Sequence, residues 1–194
     1  MTNKPRWVPK TDAERLDRLE SIAEIRQLPL RYALAVDTRN LDDLVELFLP
    51  DVRVGKNLFG RPALRDWFAQ ALCGSRTTIH FVANHTFEFE TPDLANGVVY
   101  CRDELEHSAA WDVGYIQYWD RYVRRDGVWC FEKRGFNRWY MVDALTRPSH
   151  AAGVTDPDKV VRGAGVLPDV WESWSRYWQE DAPDTSPWKN AIGG

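Results

Sequence analysis

Cysteine is scarce in this chain of 194 residues: three, widely spaced at Cys73, Cys101 and Cys130. An odd, scattered set builds neither a disulfide framework nor a CxxC metal knuckle, which points to a reducing compartment. No apolar run approaches the roughly 18 residues of a membrane span. The opening MTNKPRWVPK has charge and two prolines but no apolar signal core, so a cytoplasmic location without a membrane association is expected. Blocks of one charge are also missing. With 25 Lys+Arg against 29 Asp+Glu the net charge is −4, so no electrostatic footprint for nucleic acid exists. A Walker loop, a GxGxxG turn, a GxSxG elbow, HExxH and Cys/His clusters are all absent. The expectation is therefore no metal and no cofactor.

What is plentiful is aromatic surface: 13% of residues, including 10 Trp. Large flat rings favour a broad apolar cavity, a subunit contact or simply a ring-rich core. Helical spacing begins at Thr11, which can cap, with Glu14 three residues on and Leu16, Leu19, Ile22 and Ile25 following. Pro29 is expected to interrupt this helix and to start or kink a second, LPLRYALAVD. LDDLVELF and GRPALRDWFAQAL are further short helices, the latter with Pro62 in its first turn. The period then changes to that of strands in TTIHFVANHTFEFE, GVVYCRDELEH, Tyr115 to Arg125 and Val128 to Tyr140. Asp126-Gly127 is a hairpin signal between the last two. Helices followed by an antiparallel meander define an α+β domain over 11–143. Residues 144–194 form an extension in which Asp169 and Glu172 suggest a helix start, with Trp171, Trp174 and Trp178 on one stripe.

Three positions break the apolar pattern. Asp37 continues the stripe Leu30, Ala33, Leu34, and a carboxylate facing a core needs a partner; it could equally end one helix or cap the next. In the first long strand, alternation places Ile79, Phe81, Ala83, Phe87 and Phe89 on one side and His80, Val82, Asn84 and Thr86 on the other. His80 and Asn84 then line a polar concave face or meet solvent. His80 and His85, an odd number apart, should face opposite ways. In the second strand Val99, Cys101, Asp103, Leu105 and His107 share one face while Arg102, Glu104 and Glu106 look solvated. His107 lies in the apolar set, either in a pocket or satisfied at the strand end.

The segments IAEIRQLPLRYALAVDTRNLDDLVELFLPDVRVG, TTIHFVANHTFEFE and YWDRYVRRDGVWCFEKR, in this order, resemble the SnoaL-like branch of the NTF2-like superfamily. Scytalone dehydratase, γ-hexachlorocyclohexane dehydrochlorinase and bile-acid 7α-dehydratase are relatives in that branch. The resemblance covers about Leu16 to Tyr140 and implies a cone-shaped α+β barrel, a curved antiparallel sheet packed on N-terminal helices around a deep apolar pocket. It also implies an Asp on the helical wall orienting a His on the sheet, falling on Asp37 and His80. Tyr32 matches a pocket tyrosine of the bile-acid enzyme, and His107 a second pocket histidine of scytalone dehydratase. Where the latter has two tyrosines this chain has Val36 and Lys56, and its serine and asparagine correspond to Ile116 and Tyr118. Scytalone itself is thus not the expected substrate.

An imidazole oriented by a carboxylate can take a proton from carbon near neutral pH. The resemblance thus implies a β-elimination of dehydratase type on a small hydrophobic ring substrate, a steroid as first guess. His80 is the base, Asp37 its orienter, and Tyr32, His107 or Lys56 the partner of the leaving oxygen; Lys56, Asn84 and Tyr118 are expected to contact substrate. An isomerase or cyclase, a non-catalytic ligand-binding module and a dioxygenase small-subunit-like protein are the alternatives. Homotrimers formed through the outer face of the sheet are a further expectation from the resemblance.

Overall fold

The computed structural model describes residues 6–107, 110–144, 163–164 and 170. Helix α1 (Asp12–Asp37) is followed by α2 (Leu41–Glu46), a small hairpin of β1 (Arg53–Val54) and β2 (Leu58–Phe59), and α3 (Arg61–Leu72). Four long strands come next: β3 (Thr77–Thr91), β4 (Leu94–Glu106), β5 (Trp111–Arg125) and β6 (Val128–Asp143). They pair antiparallel in chain order, and the two-residue β7 (Gly163–Ala164) adds to the edge of β6. The result is a curved sheet with helices packed on its inner face, the α+β cone expected above. The Trp171/Trp174/Trp178 stripe and its Asp169/Glu172 start lie outside the described residues.

Thr11 does cap α1. Its hydroxyl accepts the Glu14 N–H at 3.2 Å, and the Glu14 carboxylate accepts the Thr11 N–H at 3.0 Å. Pro29 does not divide the helix, contrary to expectation, and sits buried within one continuous α1. A mid-helix proline costs about 3 kcal/mol. Burying Ile25, Leu28 and Val36 on the same face, each at 3% exposure or less, offsets that at about 1.5–3 kcal/mol per side chain. The core stripe is also rotated from the expected one. Ser21, Ile25, Leu28, Pro29, Tyr32 and Val36 face the sheet, whereas Leu30 and Leu34 are exposed.

Simple alternation fails in β3 for a local reason. His80 pairs with Asp103 and Val82 with Cys101, but His85 pairs with Val99, so three steps along β3 match two along β4. This β-bulge inverts the face of everything beyond it. Ile79 and Phe81 point outward and are exposed, while Phe89 is buried and Phe87 packs against the core. His80 and His85 therefore share the inner face. Glu106, expected in solvent, is buried as well. On the outer face Phe81, Tyr100, Tyr115 and Tyr140 border a shallow hollow of about 370 Å³.

Candidate active site

The C-terminus of α1 delivers Asp37 to the sheet. Arg39, the second residue past the helix, adopts φ 58°, a conformation uncommon outside glycine. From there its guanidinium donates to the Thr78 hydroxyl at 2.7 Å and the Ser75 carbonyl at 2.9 Å, tying the helix end to the start of β3. Asp37 is then held from three directions. Its Oδ1 accepts from the Thr78 hydroxyl at 3.0 Å and lies 2.6 Å from His80 Nδ1, and its Oδ2 accepts the His80 N–H at 2.8 Å. With Nδ1 turned to the carboxylate, Nε2 is the free basic position, hydrogen-bonded to none of the described residues. The two side chains are 8% and 22% exposed for His80 and Asp37.

Beside this pair stands a carboxylate that alternation places with the apolar set of β4 without giving it a role. Asp103 is directly across from His80, is 5% exposed, and its Oδ1 has no hydrogen-bond partner. Burial raises its pKa from the ordinary 3.8, with His80 opposing and Asp37 adding to the rise. The next residue across is Gly114, and the absence of a side chain there is what makes room: a Cβ would fall 2.0 Å from Asp103 Oδ1. Because the folded state holds this proton above pH 3.8, wild-type stability falls with rising pH through that window relative to a non-titrating Asn. The stability of Asp103→Asn relative to wild type is therefore expected to grow in urea unfolding as pH rises above 3.8. A gap that stays constant would mean that Asp103 is solvated.

A second buried network lies deeper. Asp120 takes two hydrogen bonds from Arg134, Nε to Oδ1 at 2.9 Å and Nη2 to Oδ2 at 2.7 Å, and a third from the Tyr122 hydroxyl at 2.8 Å. Tyr122 in turn lies 3.0 Å from His85 Nε2. Burial lowers the His85 pKa to about 4, so this ring is neutral and donates to Tyr122 from Nε2. Burial opposes the Arg134 charge, but Asp120 outweighs it and the net shift is upward. The guanidinium carbon sits 4.0, 4.2 and 4.4 Å from the ring centres of Tyr118, Tyr32 and Phe131. Its Nη1 is buried with no partner. The Tyr32 and Tyr118 rings meet edge-on at 5.5 Å between centres, and burial raises the Tyr32 hydroxyl to about 12, so it remains a phenol. Burial likewise raises the Cys101 thiol to about 12, which removes it as a nucleophile.

Tyr32, Tyr118 and Arg134 form one wall of a cavity of about 710 Å³ whose other lining is mostly apolar, from Phe48, Val52, Val54, Leu64, Phe68 and Phe136. His80 does not line it; the Tyr32 ring meets His80 edge-on at 6.3 Å between centres and so touches both. The other expected residues are placed elsewhere. His107 is buried against Asp112, 2.9 Å from Nε2, away from the cavity lining. Lys56 is exposed on the β1–β2 hairpin, next to the lining residue Gly55. Asn84 follows the bulge outward and borders the outer hollow, because the extra residue in β3 reverses its face. No cluster of three or more metal-ligating side chains occurs among the described residues. No helix among them is long and apolar enough to cross a membrane.

A helix-borne carboxylate holding a strand-borne imidazole beside an aromatic cavity defines a cone fold of the NTF2-like kind. The SnoaL-like domain model matches residues 17–135, and the chain belongs to that family. Among solved structures it is similar to a type 2 hexachlorocyclohexane dehydrochlorinase, LinA, at 26% identity and TM-score 0.64, covering 70% of this chain and 99% of that one. A LinA-type3 dehydrochlorinase from Novosphingobium barchaimii is 25% identical with TM-score 0.62, covering 68% and 94%. A putative scytalone dehydratase from Novosphingobium aromaticivorans shares the fold at 22% identity and TM-score 0.59, covering 73% and 99%. Among curated proteins, the uncharacterised protein Rv2910c of Mycobacterium tuberculosis is 29% identical over 138 residues, 62% of this chain and 90% of the relative.

Proposed function

We propose that this protein is a lyase that carries out a β-elimination on a hydrophobic ring compound, with His80 as base and Asp37 as its orienter. The observation that carries the reading is the 2.6 Å contact between His80 Nδ1 and Asp37 Oδ1 beside an aromatic cavity. His80 Nε2 takes a proton from a ring carbon, the C–H electron pair becomes the new C=C, and the neighbouring C–O or C–halogen bond breaks with its pair on the leaving group. For a hydroxyl, Asp103, whose neutral form burial favours, supplies the proton that turns it into water, so one proton is removed and one delivered. His80 and Asp103 project from the same sheet face, which favours loss of both groups from one side of the ring. The Arg134 guanidinium, which lines the cavity with its charge balanced by Asp120, is the group suited to donate to a carbonyl oxygen on the substrate and so stabilise the negative charge that develops after proton removal. An aromatic lining of this size favours a flat fused-ring body, with a hydroxysteroid as the first substrate to try.

The similarity to dehydrochlorinases supports this class of reaction. A second reading, binding without turnover, is favoured by the cavity being lined by Tyr32 rather than by His80. A screen of hydroxysteroids followed at an enone absorbance, with Asp37→Asn as control, distinguishes them. Turnover by wild type and its loss in the variant supports the lyase; ligand binding by both with no product from either supports the binding module. The exposed Ile79, Phe81, Tyr115 and Tyr140 of the outer face fit the trimer expected from the family. Light scattering should then give three times the chain mass, falling to a single chain in Phe81→Glu/Tyr115→Glu.

A further inference from the structure

The charged residues lining the cavity run against the balance of the chain. Overall there are 25 basic and 29 acidic residues, yet Arg53, Arg121, Lys133 and Arg134 face the cavity with Glu132 as the one carboxylate among them. Two of these charges are compensated: Asp120 holds Arg134, and Glu132 pairs with Arg121. Arg53 and Lys133 are not, among the described residues. The Arg53 guanidinium donates to the carbonyls of Gly55 at 3.0 Å and Lys56 at 3.2 Å, which fix its direction on the hairpin and leave its full charge. Exposed Lys56 on the same hairpin adds to it. An apolar hollow is thus rimmed, at Arg53 and Lys133, by positive charge that no carboxylate among the described residues neutralises.

We propose that the ligand of this cavity is amphipathic, with an apolar ring body inside and an anionic group, carboxylate, sulfate or phosphate, held at the mouth between Arg53 and Lys133. Low-dielectric walls focus the field of such a rim, so it selects for anions and speeds their capture. The inference rests on the cavity being the ligand site proposed above, and it does not depend on the elimination step. The probes that test it are 1-anilinonaphthalene-8-sulfonate and N-phenyl-1-naphthylamine, which share a ring body and differ in the sulfonate.

In Arg53→Gln/Lys133→Gln the affinity for the sulfonate is expected to fall about three- to tenfold, with the neutral amine unchanged within about twofold. Wild-type affinity for the sulfonate alone should also weaken as salt is raised. Lys133→Glu, which leaves the hairpin contacts of Arg53 in place, should shift the sulfonate in the same direction. If wild type fails to bind the sulfonate, or if both probes respond equally to the substitutions, the proposal is overturned. Failure of the elimination reads out separately, as an absence of turnover with this pattern of probe affinities preserved.

Discussion

His80→Ala is expected to lower kcat by about 10²–10⁴-fold on any ring alcohol or halide that the wild-type protein converts, the usual share of a general base. Asp37→Asn should cost a comparable factor. The amide keeps roughly the shape of the carboxylate, but it can neither hold the Nδ1–H tautomer as firmly nor stabilise the imidazolium once it forms. Neither change removes much packing. His80 sits at the edge of the aromatic cluster rather than inside it, and in His80→Ala the Asp37 carboxylate keeps its bonds from the residue 80 N–H and the Thr78 hydroxyl. Both variants should therefore melt cooperatively with a native circular dichroism spectrum. Wild-type rates in either would remove the base from this pair and leave the cavity as a binding site.

Local signals in the chain are legible where they depend on a few adjacent residues. The Thr11/Glu14 capping box, Pro62 in the first turn of α3 and the Asp126-Gly127 turn are all properties of short segments, and each stands where the spacing put it. Pairings that depend on register were harder to see. Counting back from Arg125 opposite Val128 would set Asp120 against Lys133; the irregularity between Arg121 and Tyr122 moves the partner to Arg134. The β3 bulge did the same to Asn84 and His85. A bulge belongs to two strands at once, and neither strand alone announces it. Asp103 could have been found, since its parity already placed it with the apolar set. Its relation to His80 needed only the register of β3 against β4.

Arg134→Met is expected to destabilise the fold by about 3–5 kcal/mol, because it leaves the Asp120 carboxylate buried without its cation. The two side chains are 4% and 0% exposed, so water cannot take over. Three rings also lose the guanidinium packed among them. In Asp120→Leu/Arg134→Met the charge is removed on both sides, and stability should return to within about 2 kcal/mol of wild type, as happens when a buried pair is replaced by hydrocarbon. Urea unfolding of the two variants measures both steps. A loss below about 1 kcal/mol in the single variant, the scale of an exposed pair, would show that water reaches this network. The double variant has a further use. With the fold restored and the guanidinium gone, a remaining drop in affinity for a carbonyl-bearing ring ligand is the expected result if Arg134, a lining residue of the cavity, donates to that carbonyl. A polar group kept at this cost in the middle of an aromatic cluster is then explained by what it binds, since hydrocarbon would hold the fold as well.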